Sequence, residues 1–278
     1  MFWYPLLLGI VASFSPFLGM IGMMIYLGKS LAPALLAPWN MTWPVFIAPL
    51  MFLVASPHLA GKIVALDAII GVGVVSYVFL AALRRNQVLN HATLVSILII
   101  AIYSMLRGFL FRDVLIAGLA ESSELMQTQF PALFNEESLE FSTKLWKLLL
   151  PSSWGLGQIF AFLIGQILFH KALKLPVLIN DMRFPALYNL LILAILPLYF
   201  IEAGHYFFIN ALILLCVVPF LQGISAFSRT LKRVFSNGII RGILMAITIL
   251  YAFIPLILIG FADSWMHSHT KLSGGNTA

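Results

Sequence analysis

RDVLIAGLAESSELMQTQFPALFNEESLEFSTKLWKLLL, residues 112–150, is the one long stretch of this chain that water would readily surround. It holds five glutamates: Glu121, Glu124, Glu136, Glu137 and Glu140. The segments on both sides are apolar enough to sit in lipid. Within the stretch, Phe130-Pro131 and Asn135 mark a break between two short amphipathic helices. Asn135 is a good N-cap, and Glu136 and Glu137 fall in the first turn that follows, where a carboxylate favours the positive end of the helix dipole. Leu139, Leu145, Trp146 and Leu149 recur at near-helical spacing, with Lys144 and Lys147 on other faces. A helix with one apolar face beside a membrane span lies in the interface. Residues 113–149 are therefore expected to form an extracytoplasmic amphipathic hairpin between two groups of spans.

Composition explains why the rest must be embedded. Of 278 residues, 62% are hydrophobic and 9% are charged, and the mean hydropathy is +1.02. A soluble domain carries about 25% charged residues. The apolar runs are long and continuous, unlike the short alternating segments of a membrane β-barrel. The expected fold is all-α: a polytopic transmembrane bundle of about eight spans, at 3–27, 43–59, 62–83, 92–111, 150–169, 186–203, 206–227 and 242–262. Pro16 is expected to kink or break the first. Residues 31–44, rich in proline and tryptophan, read as broken and interfacial. The N-terminus lacks the basic region of a cleavable signal, which makes the first span a retained one.

The net charge of +6 does not point to nucleic acid. Its basic residues form short clusters between apolar runs, where they set topology. The clusters Arg84-Arg85, Lys171–Arg183 and Arg229–Arg241 are each two spans apart, so one alternating topology puts all three in the cytoplasm. Residues 113–149 and the turn 202–205 then lie outside. The C-terminus follows outside, and so does the N-terminus if the first two spans are both real. Cys216 is alone in an apolar run, which excludes a disulfide framework.

No enzyme signature is present, and no cofactor is expected. Asp263, His267 and His269 read as a solvated tail rather than a metal site. The informative residues are polar groups in apolar spans, because a charge at bilayer depth is paired, near an end, or lining a cavity. Glu202, His205 and Asn210 cluster at the turn between the sixth and seventh spans, where Glu202 and His205 could form a proton-sensitive pair. Arg107 lies about one turn inside the outer end of the fourth span, and Asp67 lies near the same surface. Arg107 could snorkel, hold an anionic group, or pair with Asp67 or Glu202. Gln158, Gln166, Asn189 and Gln222 read as hydrogen-bonding glue between helices.

Over residues 150–265 the chain resembles the YybS-like family of bacterial polytopic membrane proteins. The features are Leu150-Pro151 opening a span, a basic loop leading into Arg183-Phe184-Pro185, the run Pro219-Phe220-Leu221-Gln222-Gly223, and the closing Gly260-Phe261-Ala262-Asp263-Ser264-Trp265. The resemblance implies the bacterial cytoplasmic (inner) membrane and about eight spans, without an activity. A remoter similarity is to the substrate-binding membrane subunits of energy-coupling-factor transporters. The expected function is a small-solute transporter or a substrate-binding transporter subunit, with Asp67, Arg107, Glu202, His205 and Asn210 binding the solute. The alternative is a scaffold or regulatory subunit acting through 113–149. Expected partners are the lipid bilayer, a small polar or anionic solute and a membrane partner subunit.

Overall fold

A computed structural model describes residues 3–31, 37–86, 88–129, 136–174 and 182–273. The expected break at Phe130-Pro131 and the Asn135 cap lie outside the described residues. The described residues are almost all helical and contain no strand. They divide into two compact units, Met1–Gln87 with Val95–Lys174, and Val88–Leu94 with Leu175–Ala278. Five helices are long and apolar enough to cross a membrane: α3 (Pro38–Ala55), α4 (Leu59–Arg85), α5 (Leu89–Leu110), α8 (Leu150–Ala172) and α10 (His205–Val234). A bent pair, α11 (Gly238–Tyr251) and α12 (Phe253–Ser273), makes six if counted as one span. Eight spans were expected, and three of those eight have a different form.

The first expected span, 3–27, is a hairpin. α1 (Trp3–Phe14) and α2 (Pro16–Leu31) are separated at Ser15. Pro16 starts α2 because a first-turn residue needs no N–H partner, and the Ser15 Oγ accepts from the Leu18 N–H at 3.4 Å. The chain then doubles back. A Cβ on Gly19 would lie 2.5 Å from the Ala12 Cβ, so the two helices touch at a spacing only glycine permits there. At the other end of the hairpin, Tyr4 and Leu7 share a groove with Tyr26 and Lys29. The start of α1 therefore lies at the Lys29 end, and the condition on which the N-terminus was expected outside, a single continuous first span, is not met.

Contacts fix the register of the first unit. α2 and α8 run parallel, with Phe17 beside Gly157, Met24 beside Gly165 and Gly28 beside Phe169. α4 runs the same way: Gly71 meets Trp154 and Gln158, and Phe79 stacks edge-on against Phe162 and Phe169. α5 runs opposite, bringing Tyr103 and Arg107 to Asp67. Lys29, Arg84, Arg85 and Lys171 consequently gather at one end, and Arg107 lies toward the other. Seventeen residues of α8 separate Trp154, beside Arg107, from Lys171, about 25 Å of helix and close to the thickness of a bilayer core.

α4 is wound as a π-helix over Ile69–Val74. The wider turn leaves backbone carbonyls without their usual partners, and the Gly71 carbonyl accepts from the buried Gln158 Nε2 at 2.7 Å. α6 (Arg112–Gln129) continues from α5 through backbone bonds across Phe111, and α7 (Glu136–Leu148) leads into α8 across Leu149. Ser123 and Thr143 hydroxyls meet at 3.3 Å between α6 and α7.

In the second unit, the expected span 186–203 is a short helix, α9 (Ala186–Phe200), with 3-10 turns at both ends. Pro197 starts the second 3-10 turn and prevents a continuous α-helix. Pro219 sits inside α10 and cannot bond the Leu215 carbonyl. The Tyr188 hydroxyl donates to that carbonyl at 3.0 Å. The expected span 242–262 is broken at Ala252 by a bend of 102°. Pro255, in the first turn of α12, cannot donate to Tyr251 and so ends α11. α12 then packs along α10, where a Cβ on Gly223 would lie 1.8 Å from the Leu256 carbonyl oxygen and one on Gly260 1.8 Å from that of Pro219.

Candidate functional site

Arg107 and Asp67 meet where α4 faces α5. The Arg107 Nε donates to both carboxylate oxygens of Asp67, at 2.8 and 3.0 Å. Tyr103, one turn before Arg107 on α5, donates its hydroxyl to Asp67 Oδ1 at 2.7 Å. The Asp67 side chain is 4% exposed and that of Arg107 12%. An isolated carboxylate so buried would be costly, and these three donations compensate it. The guanidinium lies over the Trp154 ring, 5.2 Å from its centroid, and Tyr103 packs edge-on against the same ring. Trp154 thus adds a cation–π contact to the pair.

The consequence is directional. Because Asp67 takes Nε alone, the terminal Nη1 and Nη2 have no hydrogen-bond partner among the described residues. Arg107 lines an open cavity of about 500 Å³ bordered by α2, α4, α5, α6, α7 and α8. Its walls are mostly apolar, with Phe17, Ile63, Leu119, Trp146 and Trp154 among them, and Ser122 and Ser153 as neutral polar groups. Arg107 is the charged residue on the lining; Asp67 stands behind it. α6 contributes Gly118, and a Cβ there would meet nothing within 4 Å.

The other expected site residues belong to the second unit. Glu202 is exposed, in a 3-10 turn. His205 opens α10; its Nε2 contacts the Tyr199 carbonyl and its ring packs on that of Tyr199 at 5.3 Å. Glu202 and His205 form no ion pair among the described residues. Asn210 is buried, and its Nδ2 donates to the Tyr206 carbonyl one turn back at 2.8 Å. The sequence leaves Arg107 to snorkel, to hold an anionic group or to pair with Asp67 or Glu202, and it pairs with Asp67.

Two features went unread in the sequence. Tyr103 stands four residues before Arg107, hence on the same helix face, and that spacing was a usable signal. The second is a polar network between α10 and α12, whose acid had been assigned to a tail. Asp263 accepts from Arg229 Nη2 at 2.8 Å and from Gln222 Nε2 at 3.1 Å. Gln222 Oε1 accepts from the Phe184 N–H at 3.3 Å, and Arg229 Nη1 donates to Ser225 at 2.9 Å. Asn189 donates to Ser264 at 2.7 Å. Among the described residues no group of three or more His, Cys, Asp or Glu side chains could hold a metal ion. The side chains of His267 and His269 lie outside the described residues.

Comparison with protein-family models, with curated proteins and with solved structures finds no match.

Proposed function

We propose that this chain is a small-solute transporter, or the substrate-binding subunit of one, in the bacterial cytoplasmic membrane. Its solute site is the cavity beside Arg107. The observation that carries the reading is that Arg107, whose terminal nitrogens have no hydrogen-bond partner among the described residues, lines a cavity of about 500 Å³. Ligand sites of 300–1,000 Å³ are mostly apolar, with a few polar groups that fix orientation. The end bearing Lys29, Arg84, Arg85 and Lys171 is cytoplasmic by the positive-inside rule. The cavity, α6 and α7 then face the exterior. Glu202, His205 and Asn210 are a second polar cluster whose role in solute handling is part of the same proposal. The resemblance to YybS-like proteins supports the compartment.

The test is the small-molecule complement that co-purifies with the protein in nanodiscs, read by mass spectrometry. Wild type is expected to carry a solute that Arg107→Gln loses while its melting temperature stays measurable. An unchanged complement in a folded Arg107→Gln protein would sink the proposal.

A second reading, a scaffold acting through 113–149, is favoured by Leu125, Met126, Phe141 and Trp146, which α6 and α7 expose. Deleting residues 113–149 would then release a partner subunit in pull-downs.

A further inference from the structure

We infer that the solute is an amphipathic anion, with one carboxylate or phosphate group held end-on by Nη1 and Nη2 of Arg107 and an apolar body packed against Phe17, Ile63, Leu119 and Trp146. This rests on the solute-site reading above and names the ligand class.

Three observations converge on it. Arg107 lines the cavity with its terminal nitrogens unbonded among the described residues, and the two parallel N–H groups of such a fork match the two oxygens of a carboxylate or phosphate. Trp154 packs against the guanidinium, its ring centroid 5.2 Å away. The carboxylate of the pair is turned away: Asp67 already accepts from Arg107 and Tyr103 and does not line the cavity. A cationic group on a ligand would therefore find no counter-charge there.

The walls exclude very polar solutes. Apart from Arg107, the polar side chains lining the cavity are Ser122 and Ser153, with the indoles of Trp146 and Trp154. A sugar or a dicarboxylate would lose hydration at several groups and regain few hydrogen bonds, which is costly. A hydrocarbon or aromatic body loses nothing and gains burial. Asp67 offsets the charge of Arg107 while the cavity is empty, so a bound anion adds a net negative charge. Asp67→Asn removes that repulsion.

The chemistry has two possible sources, a free amphipathic acid or an anionic lipid headgroup with part of its chain. Both are tested with the full chain in nanodiscs of neutral phosphatidylcholine, using tritiated 2-naphthoate as the probe in a scintillation-proximity assay. Saturable binding is expected, competed by octanoate but not by uncharged 2-naphthamide or by succinate. Arg107→Gln should weaken it about tenfold or more, the scale of a lost charge-assisted hydrogen bond. Asp67→Asn should keep or tighten it. Gly118→Leu grows into the open space beside α6 and should abolish binding with an unchanged melting temperature, so loss of fold and loss of site stay separable.

Equal competition by 2-naphthamide, or binding that survives both Arg107→Gln and Gly118→Leu, overturns the inference. Competition by succinate with Arg107 dependence overturns the ligand class and leaves the solute site standing. Absence of Arg107-dependent binding for every probe overturns the ligand class, and the co-purification experiment then decides the site separately. Repeating the assay with phosphatidylglycerol in the disc assigns the source. A fall in naphthoate binding identifies a lipid headgroup, and no change identifies a free acid.

Discussion

Among the described residues there are two arginine–aspartate pairs, one in each unit, and they are used differently. Arg107 gives Asp67 its Nε, keeps its terminal nitrogens unbonded among the described residues and lines a cavity. Arg229 spends Nη2 on Asp263 and Nη1 on Ser225, while the other oxygen of Asp263 accepts from Gln222. The first pair has donors to spare beside empty volume. The second is tied to its own helices, next to the closest backbone contact described. A buried ion pair is weak evidence for stability or for function on its own. What distinguishes these two is where the unused hydrogen-bonding capacity points.

The largest expected effect tests whether the second pair belongs to a packing device. At Gly260 and Gly223 even a methyl group would meet a backbone oxygen at 1.8 Å. Gly260→Ala and Gly223→Ala should each cost about 3 kcal/mol or more, since the clash is with backbone and overpacking alone costs 1–3 kcal/mol. Thermal unfolding in detergent should show a large drop. Near-wild-type melting of either variant would mean that α10 and α12 separate easily and that the network does not clamp them.

Next in size is the network itself. Arg229→Met or Asp263→Leu alone leaves a buried charge unmatched and should cost about 3–5 kcal/mol. The double variant should recover most of that loss, because a well-packed apolar pair replaces a buried ion pair with little penalty. Failure of the double variant to recover would give the second pair a role beyond packing and erase the contrast with Arg107.

The same contrast marks what could be read in the sequence. Hydropathy located all five long apolar helices to within a few residues, except that α3 begins five residues earlier and α10 ends seven later. It also placed Asp67 near the same surface as Arg107, as one of two acids named for it beside the snorkelling and anion-holding readings. It failed wherever the chain turns without becoming polar. Residues 3–27 are apolar throughout, so a window over them sees one span where Ser15-Pro16 makes two antiparallel helices. The bend at Ala252 lies in an equally apolar run. Reading 242–262 as straight put Asp263 in a tail, which hid its pairing with Arg229. Pro16, Pro197 and Pro255 stand at all three irregular spans, and proline signals that a helix starts or stops without saying in which direction the chain leaves.

The Arg107 pair should be less critical for folding than the Arg229 pair. The Arg107 pair is the more buried of the two, with side chains 12% and 4% exposed against 20% and 9%, but Arg107 borders an open cavity through which water can reach it. Asp67→Asn keeps the hydrogen bond from Tyr103 and should lower stability by about 1–2 kcal/mol, measured by the same unfolding assay. Arg107→Gln leaves the buried Asp67 carboxylate without its cation, keeping the Tyr103 hydroxyl, and should lower melting more than Asp67→Asn does, while the two variants should move anion binding in opposite directions. A deficit as large as that of Asp263→Leu would place Asp67 and Arg107 among the structural clamps instead.

The smallest effect belongs to the third ion pair among the described residues, Lys144 to Glu140 at 2.7 Å, one turn apart on α7. Both side chains are largely exposed, at 74% and 68%, where water screens the attraction and holding two long side chains together costs entropy. The hydrogen bond and charge of Lys144 hold the Glu140 carboxyl below its ordinary value. A lowered carboxylate pKa contributes stability above the unfolded-state value, and that contribution is lost as pH falls through the folded-state value. Lys144→Gln should therefore leave the melting temperature unchanged at neutral pH within measurement error. Any small deficit should vanish on acidification below the glutamate range. A deficit that persists in acid would mean that Lys144 acts through packing on α6, by way of the stem of its side chain, and not through its charge. The exposed pair sets the floor against which the two buried ones are measured: identical chemistry in water contributes little, and burial decides whether it clamps a helix or presents a ligand site.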